Sequence, residues 1–170
     1  AGAYAPAPGP DRASGLPCQN SHKCTEPRAG TPREAPPYPA SARRTAYALQ
    51  VNVAAFVERY GLAQTGFLTL TFAEHITDPK TAQKRLRSLR AHVLVARYRA
   101  HIRVMERQKS GRIHYHLLVA LDSDIRSGVD FAALGRRDYR SAPESLRAEW
   151  AFWRRTAKAY GFGRTELLPV

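Results

Sequence analysis

One carboxylate and two imidazoles lie close together near the middle of the chain, at Glu106, His114 and His116. Side chains of these types bind divalent cations, so their relative positions decide whether they can form a site. Polar and apolar residues alternate over 102–108 and again over 112–121, which predicts two half-buried strands. The intervening Lys-Ser-Gly fits a three-residue hairpin loop with its glycine in the left-handed conformation.

This loop length sets the register of the two predicted strands and places Glu106 opposite His114. Directly opposed residues point to the same side of a sheet with Cβ atoms about 5 Å apart. His116 shares that side because side chains alternate along a strand. The three residues therefore predict a metal site that suits Mn²⁺ or Mg²⁺ and leaves zinc open. The alternative is an ordinary strand in which Arg112 or a nearby lysine neutralises Glu106.

The same stretch resembles the HUH endonucleases, in the branch of rolling-circle replication initiators, or Rep proteins, of plasmids, phages and small DNA viruses. Their defining motif is His, a hydrophobic residue, His, and here it is His114-Tyr115-His116. Glu106 fits the third ligand that many members take from the preceding strand. The strand Phe67-Leu-Thr-Leu-Thr-Phe72 resembles the family's first motif, and the resemblance covers about residues 45–170.

The resemblance implies an α+β fold, an antiparallel sheet with helices packed on it and the two histidines on a central strand. It also implies metal-dependent nicking of single-stranded origin DNA, with Mn²⁺ or Mg²⁺ as cofactor. A tyrosine hydroxyl attacks the scissile phosphate in such enzymes, leaving a 5′-phosphotyrosine and a free 3′-hydroxyl. Host replication proteins are possible further partners. A relaxase or transposase of the same superfamily, and a non-catalytic module that binds single-stranded nucleic acid, remain alternatives.

The nucleophile is the part of the family pattern from which this sequence departs. The third family motif is Tyr-x-x-Lys on a helix after the sheet, and none of the eight tyrosines has a lysine three residues later. Tyr160 follows the histidines and is the candidate catalytic residue, but it continues the apolar helix stripe that contains Trp150 and Trp153. We interpret it as a packing residue and expect the true nucleophile beyond Val170, in a domain truncated before its catalytic helix.

The charge of the chain predicts a nucleic-acid partner. The sequence contains 27 Lys and Arg against 14 Asp and Glu, a net charge of +13, of which +12 belongs to residues 41–170. No apolar run approaches the roughly 20 residues of a membrane span, so no membrane partner and a cytoplasmic location are expected.

The basic residues nearest the hairpin and the last strand are candidate DNA ligands: Arg103, Arg107, Lys109, Arg112 and Arg164.

Residues 1–40 contain nine of the twelve prolines and no helical or strand periodicity. This composition predicts a disordered tail. The resemblance implies that the endonuclease domain occupies the rest of the chain, residues 41–170. Cys18 and Cys24 lie in the tail, and two thiols around one histidine fall short of the four ligands that structural zinc normally needs.

Apolar periodicity predicts the order helix, strand, helix, hairpin, helix, strand, with helices on one face of a four-stranded antiparallel sheet. The first helix is expected over 45–60, and the second begins with Asp78 as its N-cap. A capping box from Ser141 to Glu144 predicts the start of the third helix. The predicted strands outside the hairpin are 66–72 and 162–168, and 122–140 is expected to be a polar loop. We interpret the basic residues Lys80, Lys84 and Arg87 on the second helix as a solvated surface.

Overall fold

The computed structural model describes residues 39–170, and the statements below refer to that part of the chain. The predicted tail, apart from its last two residues, and both cysteines lie outside the described residues. The described chain is an α+β domain with one four-stranded antiparallel sheet in the order β2-β3-β1-β4. In chain order the elements are α1 (Ala40–Tyr60), β1 (Thr65–Phe72), α2 (Pro79–Leu89), α3 (Val95–Arg97), β2 (Ala100–Arg107), β3 (Ile113–Ala120), α4 (Phe131–Gly135), α5 (Glu144–Thr156) and β4 (Phe162–Pro169).

The hairpin of β2 and β3 has the predicted register. Glu106 pairs with His114, and Val104 pairs with His116. Gly111 has a φ of 83°, the left-handed conformation that the short loop requires and that glycine adopts without steric cost. Because β3 is flanked by β2 on one side and β1 on the other, both histidines lie on an interior strand whose backbone is held from two directions.

One face of the sheet is covered by α2 and α5 and contains the larger hydrophobic core. Alternate residues of β1 and β3 point into it, among them Leu70, Phe72, Tyr115 and Leu117. The helices contribute the residues that periodicity predicted: Ala82, Leu86, Leu89, Val93, Leu146, Trp153 and Ala157 are buried, and Trp150 packs against them. Burial of these apolar side chains supplies the main favourable free energy of the fold.

The opposite face is covered by α1 at one end. Phe56 of this helix packs with Leu118 and Ala120 of β3 in a second, smaller core. The prediction that all helices lie on one face is therefore wrong, because the apolar end of this second face also needs a cover. We call the rest of this surface the open face. Its side chains alternate with those of the larger core and include Phe67 and Val104, which are exposed.

The helix starts show one confirmed and one wrong prediction. Asp78 caps α2, where its carboxylate accepts hydrogen bonds from the backbone N–H groups of Lys80 and Thr81. The capping box at the start of α5 does not form: Pro143 occupies the N-cap position, and the Ser141 hydroxyl accepts a bond from the Asp130 N–H instead. A non-local donor has taken the oxygen that the local pattern assigned to the cap.

Two further boundaries differ from the sequence prediction. The helix α1 begins at Ala40, five residues before the predicted start. The segment 122–140, expected to be a loop, contains the short helix α4, which Asp130 caps by accepting a bond from the Ala133 N–H. Five residues are too few for a clear apolar stripe, so periodicity does not detect this helix.

A buried polar network ties the segment before β2 to α5. The Trp153 indole N–H donates to the Tyr98 hydroxyl at 2.7 Å, and this hydroxyl donates to Glu149 at 2.8 Å. Arg97 pairs with the same carboxylate, and its guanidinium stacks on Phe152 at 3.5 Å from the ring centroid. Burial, followed by the charge of Glu149, raises the pKa of the Tyr98 phenol, so the hydroxyl keeps its proton and remains a donor.

Among the described helices, none combines the length and apolar character that a membrane-spanning segment needs.

Candidate metal centre

The hairpin brings Glu106, His114 and His116 together as predicted. Their potential ligand atoms all lie within 4.8 Å of one another. The Glu106 Oε2 atom is 2.8 Å from Nε2 of His116 and 3.1 Å from Nε2 of His114. Glu106 is exposed, His116 is half-buried and His114 is buried, so the cluster opens on one side to solvent. We call these three residues the carboxylate–histidine cluster.

Each imidazole ring also has a contact at Nδ1, the nitrogen that faces away from Glu106. Nδ1 of His116 lies 3.1 Å from the Thr69 hydroxyl oxygen, and Nδ1 of His114 lies 3.2 Å from Nε2 of the Gln108 amide. The Phe67 ring also stacks on His116, with ring centroids 5.1 Å apart. The Thr69 hydroxyl can accept a hydrogen bond from Nδ1–H of His116, which is the outer contact that orients a metal-binding histidine. The Gln108 amide does the same for His114 when its oxygen, rather than its nitrogen, faces Nδ1. These contacts leave both Nε2 atoms directed at the Glu106 carboxylate.

The electrostatics of the cluster favour a cation. Contacts with His114 first and His116 second hold the pKa of the Glu106 carboxyl below its ordinary value, so it stays ionised. Nε2 of His114 is buried and lacks a partner with hydrogen-bond geometry among the described residues, although Glu106 is close to it. Leaving such an atom unpaired costs about 1–3 kcal/mol. One carboxylate oxygen, two imidazole nitrogens and an open side fit a Mn²⁺ or Mg²⁺ ion that retains exchangeable positions.

Arg112 does not neutralise Glu106, because its side chain is engaged elsewhere. Its guanidinium donates to the backbone carbonyls of Phe72 and Ala73 at the end of β1. Arg107 is similarly engaged, because it donates to the carbonyl oxygens of Thr77 and Gly111. These two predicted DNA ligands hold the loops around the hairpin.

The other three predicted DNA ligands do not lie together, and the sheet separates Arg164 from Arg103. Arg164 is exposed on the open face. In the strand register it lies opposite Thr71 of β1, and Thr71 lies opposite His114 of β3. Lys109 lies in the exposed hairpin loop. Arg103 alternates with Val104 along β2 and therefore points to the side opposite Glu106.

Tyr160 is not brought to the cluster. It packs partly buried against the larger core and stacks on His92, with ring centroids 6.4 Å apart. The β3 members of that core, including Tyr115 and Leu117, alternate with the two histidines of the cluster. Tyr160 therefore lies on the helix-covered side of the sheet, as expected for a packing residue.

Sequence reasoning missed the residues that support the cluster. Alternation along β1 placed Phe67 and Thr69 on one face, but it contained no signal that β1 would pair with β3. Gln108 directly follows β2. Its position two residues after Glu106 was the available clue that it shares the same side.

Comparison with known proteins places these features in a family. The family model described as replication-associated protein ORF2/G2P matches residues 65–166, from the start of β1 into β4. A curated relative, the phasyl DNA replicon protein arp of Escherichia coli, is 56% identical over 161 residues. The match covers 91% of this chain and 56% of the relative, so the chain spans little more than half the length of that protein. No solved structure matches the chain.

Proposed function

This chain belongs to the replication-associated protein ORF2/G2P family, and from that premise we propose that it is an HUH endonuclease domain of a rolling-circle replication initiator. Its reaction is the nicking of single-stranded DNA at a replication origin. The proposal rests on one observation above all: Glu106, His114 and His116 converge from two paired strands onto a common point. The name of the relative, a DNA replicon protein, supports the same role.

In this proposal the carboxylate–histidine cluster holds a Mn²⁺ or Mg²⁺ ion. Such an ion, when bound, polarises the scissile phosphate and stabilises charge that develops on its oxygens. Thr69 and Gln108 keep the two rings oriented, and stacking by Phe67 restricts rotation of His116. Glu106 remains ionised because both histidines lower its pKa, and it thereby balances part of the ion's charge.

The open face supplies the surface for single-stranded DNA. Exposed Phe67 offers a ring for base stacking beside the cluster, and Arg164 offers a guanidinium for a backbone phosphate. Thr71 lies between Arg164 and His114 in the strand register, so a bound strand would cross β1 on its way to the cluster.

The nucleophile is a tyrosine hydroxyl whose oxygen attacks the phosphorus and displaces the 3′-oxygen, which leaves as a 3′-hydroxyl. Tyr160 is the less favoured candidate because it packs on the other side of the sheet. We propose that a longer form of the protein supplies this tyrosine. The same observation favours a second candidate function, a binding module without covalent chemistry.

Titration of Mn²⁺ into the protein by calorimetry tests the metal site. The wild type should bind one ion, and His114→Ala should lose measurable binding because one of three ligands is gone. His92→Ala is the matched control, since this exposed imidazole lies on the helix-covered side. Equal binding by the wild type and His114→Ala would remove the cluster from the proposal.

The covalent step is tested separately with Mn²⁺ and labelled single-stranded origin DNA. A denaturant-resistant protein–DNA band should form with a longer form of the protein and persist in its Tyr160→Phe variant. A band that disappears in Tyr160→Phe would make Tyr160 the nucleophile. If neither the longer form nor its Tyr160→Phe variant gives the band while DNA binding is intact, the non-catalytic binding module remains as the function.

A further inference from the structure

A second group of basic side chains surrounds a cavity on the other side of the sheet. The cavity lies between α2 with its following π-helical turn, Arg90–Leu94, and the edge strand β2. Its volume is about 390 Å³, and its lining residues are Gln83, Leu86, Arg87, Arg90, His101 and Arg103. His101 and Arg103 alternate with the β2 residues of the open face, so this cavity and the cluster lie on opposite sides of one strand.

The cavity concentrates positive charge without a counter-charge. No carboxylate lines it, and within residues 39–170 its three arginines form no ion pair. Neighbouring arginines are different: Arg85 pairs with Glu74, and Arg97 pairs with Glu149. A concave surface lined by charges of one sign focuses the field and attracts a counter-ion.

The His101 ring lies among these charges and lines the same cavity. Burial first, and then the guanidinium charges of Arg90 and Arg103, lower the pKa of His101. The ring is therefore kept neutral and offers one N–H donor, while the Gln83 amide offers two more. Donors and charges of this kind match the oxygens of a phosphate group, which arginine binds through its planar fork.

We propose that this cavity binds a phosphate group of the DNA backbone, so that the nucleic acid bound by the domain continues around the β2 edge. Glu106 lies three residues from Arg103, about 10 Å along the strand at the usual rise per residue. The exposed Lys84 extends the basic surface along α2 beyond the cavity. That the bound phosphate group belongs to DNA rests on the proposed function, whereas the inference that the cavity binds a phosphate group rests on the cavity alone. Arg87, which the sequence analysis interpreted as part of a solvated surface, thereby becomes part of a binding site.

Single-stranded DNA binding across a range of salt concentrations tests the proposal with the Arg90→Ala/Arg103→Ala double variant. Affinity should fall at least about tenfold, since charge-assisted hydrogen bonds are lost. The dependence of log K on log salt should become shallower by about 0.7 for each lost phosphate contact. Arg155→Ala is the matched control, because this exposed arginine on α5 does not line the cavity. Losses of equal size in both proteins, or no loss in either, would overturn the proposal.

Inorganic phosphate serves as the second probe, and its binding is monitored through the NMR signals of the His101 ring. These signals should shift on titration in the wild type and stay unchanged in the double variant. Absence of any shift in the wild type would overturn phosphate binding. A shift combined with unaltered DNA affinity in the double variant would assign the cavity to a free phosphate compound and overturn the DNA source.

The two proposals fail in distinguishable ways. The double variant should retain wild-type Mn²⁺ affinity, because its substituted side chains lie on the opposite side of β2 from the cluster. If the wild type binds no DNA, the proposed function fails and the phosphate titration alone decides the nature of the cavity.

Discussion

The Thr69 hydroxyl oxygen lies 3.1 Å from Nδ1 of His116, and this contact joins β1 to the carboxylate–histidine cluster across 47 residues of sequence. The hydroxyl can accept a hydrogen bond from Nδ1–H, which leaves Nε2 with its lone pair free for a cation. Thr69 is therefore a positioning residue for His116. The relationship explains why a polar residue occupies the middle of a strand whose alternate positions are fully buried.

Thr69→Val should weaken Mn²⁺ binding about tenfold or more, as expected when an outer hydrogen bond to a metal-binding histidine is lost. Thr71→Val is the matched control, because Thr71 is the next residue of β1 on the same face and makes no side-chain hydrogen bond within residues 39–170. Calorimetry on both variants measures the difference. Equal affinities would show that Thr69 does not orient the ring.

Mn²⁺ affinity should decrease as the pH falls below neutrality. Imidazole ligands in general must be deprotonated to bind a metal, so protons compete with the cation. The lowered pKa of Glu106 keeps its carboxylate available at lower pH. Calorimetric titration in buffers of different ionisation enthalpy measures the protons released. Binding that is independent of pH would contradict imidazole ligation.

His101 should make folding stability depend on pH. Its pKa in the folded state lies below 6.5, so the unfolded chain takes up the proton more readily. The contribution to stability is fully present above pH 6.5 and is lost as the pH falls below that value. The charges that act on the ring are those of Arg90 from the π-helical turn and Arg103 from β2. Arg87 from α2 lines the same cavity, and Arg59 from α1 lines a second cavity that His101 also borders.

Urea unfolding on either side of pH 6.5 checks this dependence. The change in unfolding free energy should be smaller in His101→Gln than in the wild type. His92→Gln, an exposed substitution, should behave like the wild type. An unchanged pH dependence in His101→Gln would show that another group controls it.

Tyr98→Phe should lower the free energy of unfolding by about 1–3 kcal/mol, because the buried Trp153 N–H loses its acceptor and Glu149 loses a donor. Tyr47→Phe is the control, since Tyr47 is 70% exposed on α1. Urea denaturation of both variants gives the comparison. A Tyr98→Phe protein as stable as Tyr47→Phe would mean that water or the remaining Arg97 contact fully replaces the hydroxyl.

Local sequence patterns were sufficient for the hairpin and most of the elements. Alternation assigned the faces of β2 and β3, and the three-residue loop determined that Glu106 opposes His114. These are contacts between residues near each other in the chain, where turn geometry leaves few registers. The cap at Asp78 was predictable for the same reason.

Tertiary structure decided which strand lies beside which and what each polar side chain contacts. Alternation predicts on which face of the sheet a residue lies, but it does not predict which strand lies beside it. The pairing of Thr69 with His116 therefore could not be derived from β1 alone. The convergence of Arg103 with Arg87 and Arg90 likewise depends on how α2 packs against the edge strand. Ser141 lost its predicted capping role because a distant N–H competed for its oxygen. Contacts of this kind are selected by the packing of whole apolar faces, a property of the complete domain that no local segment contains.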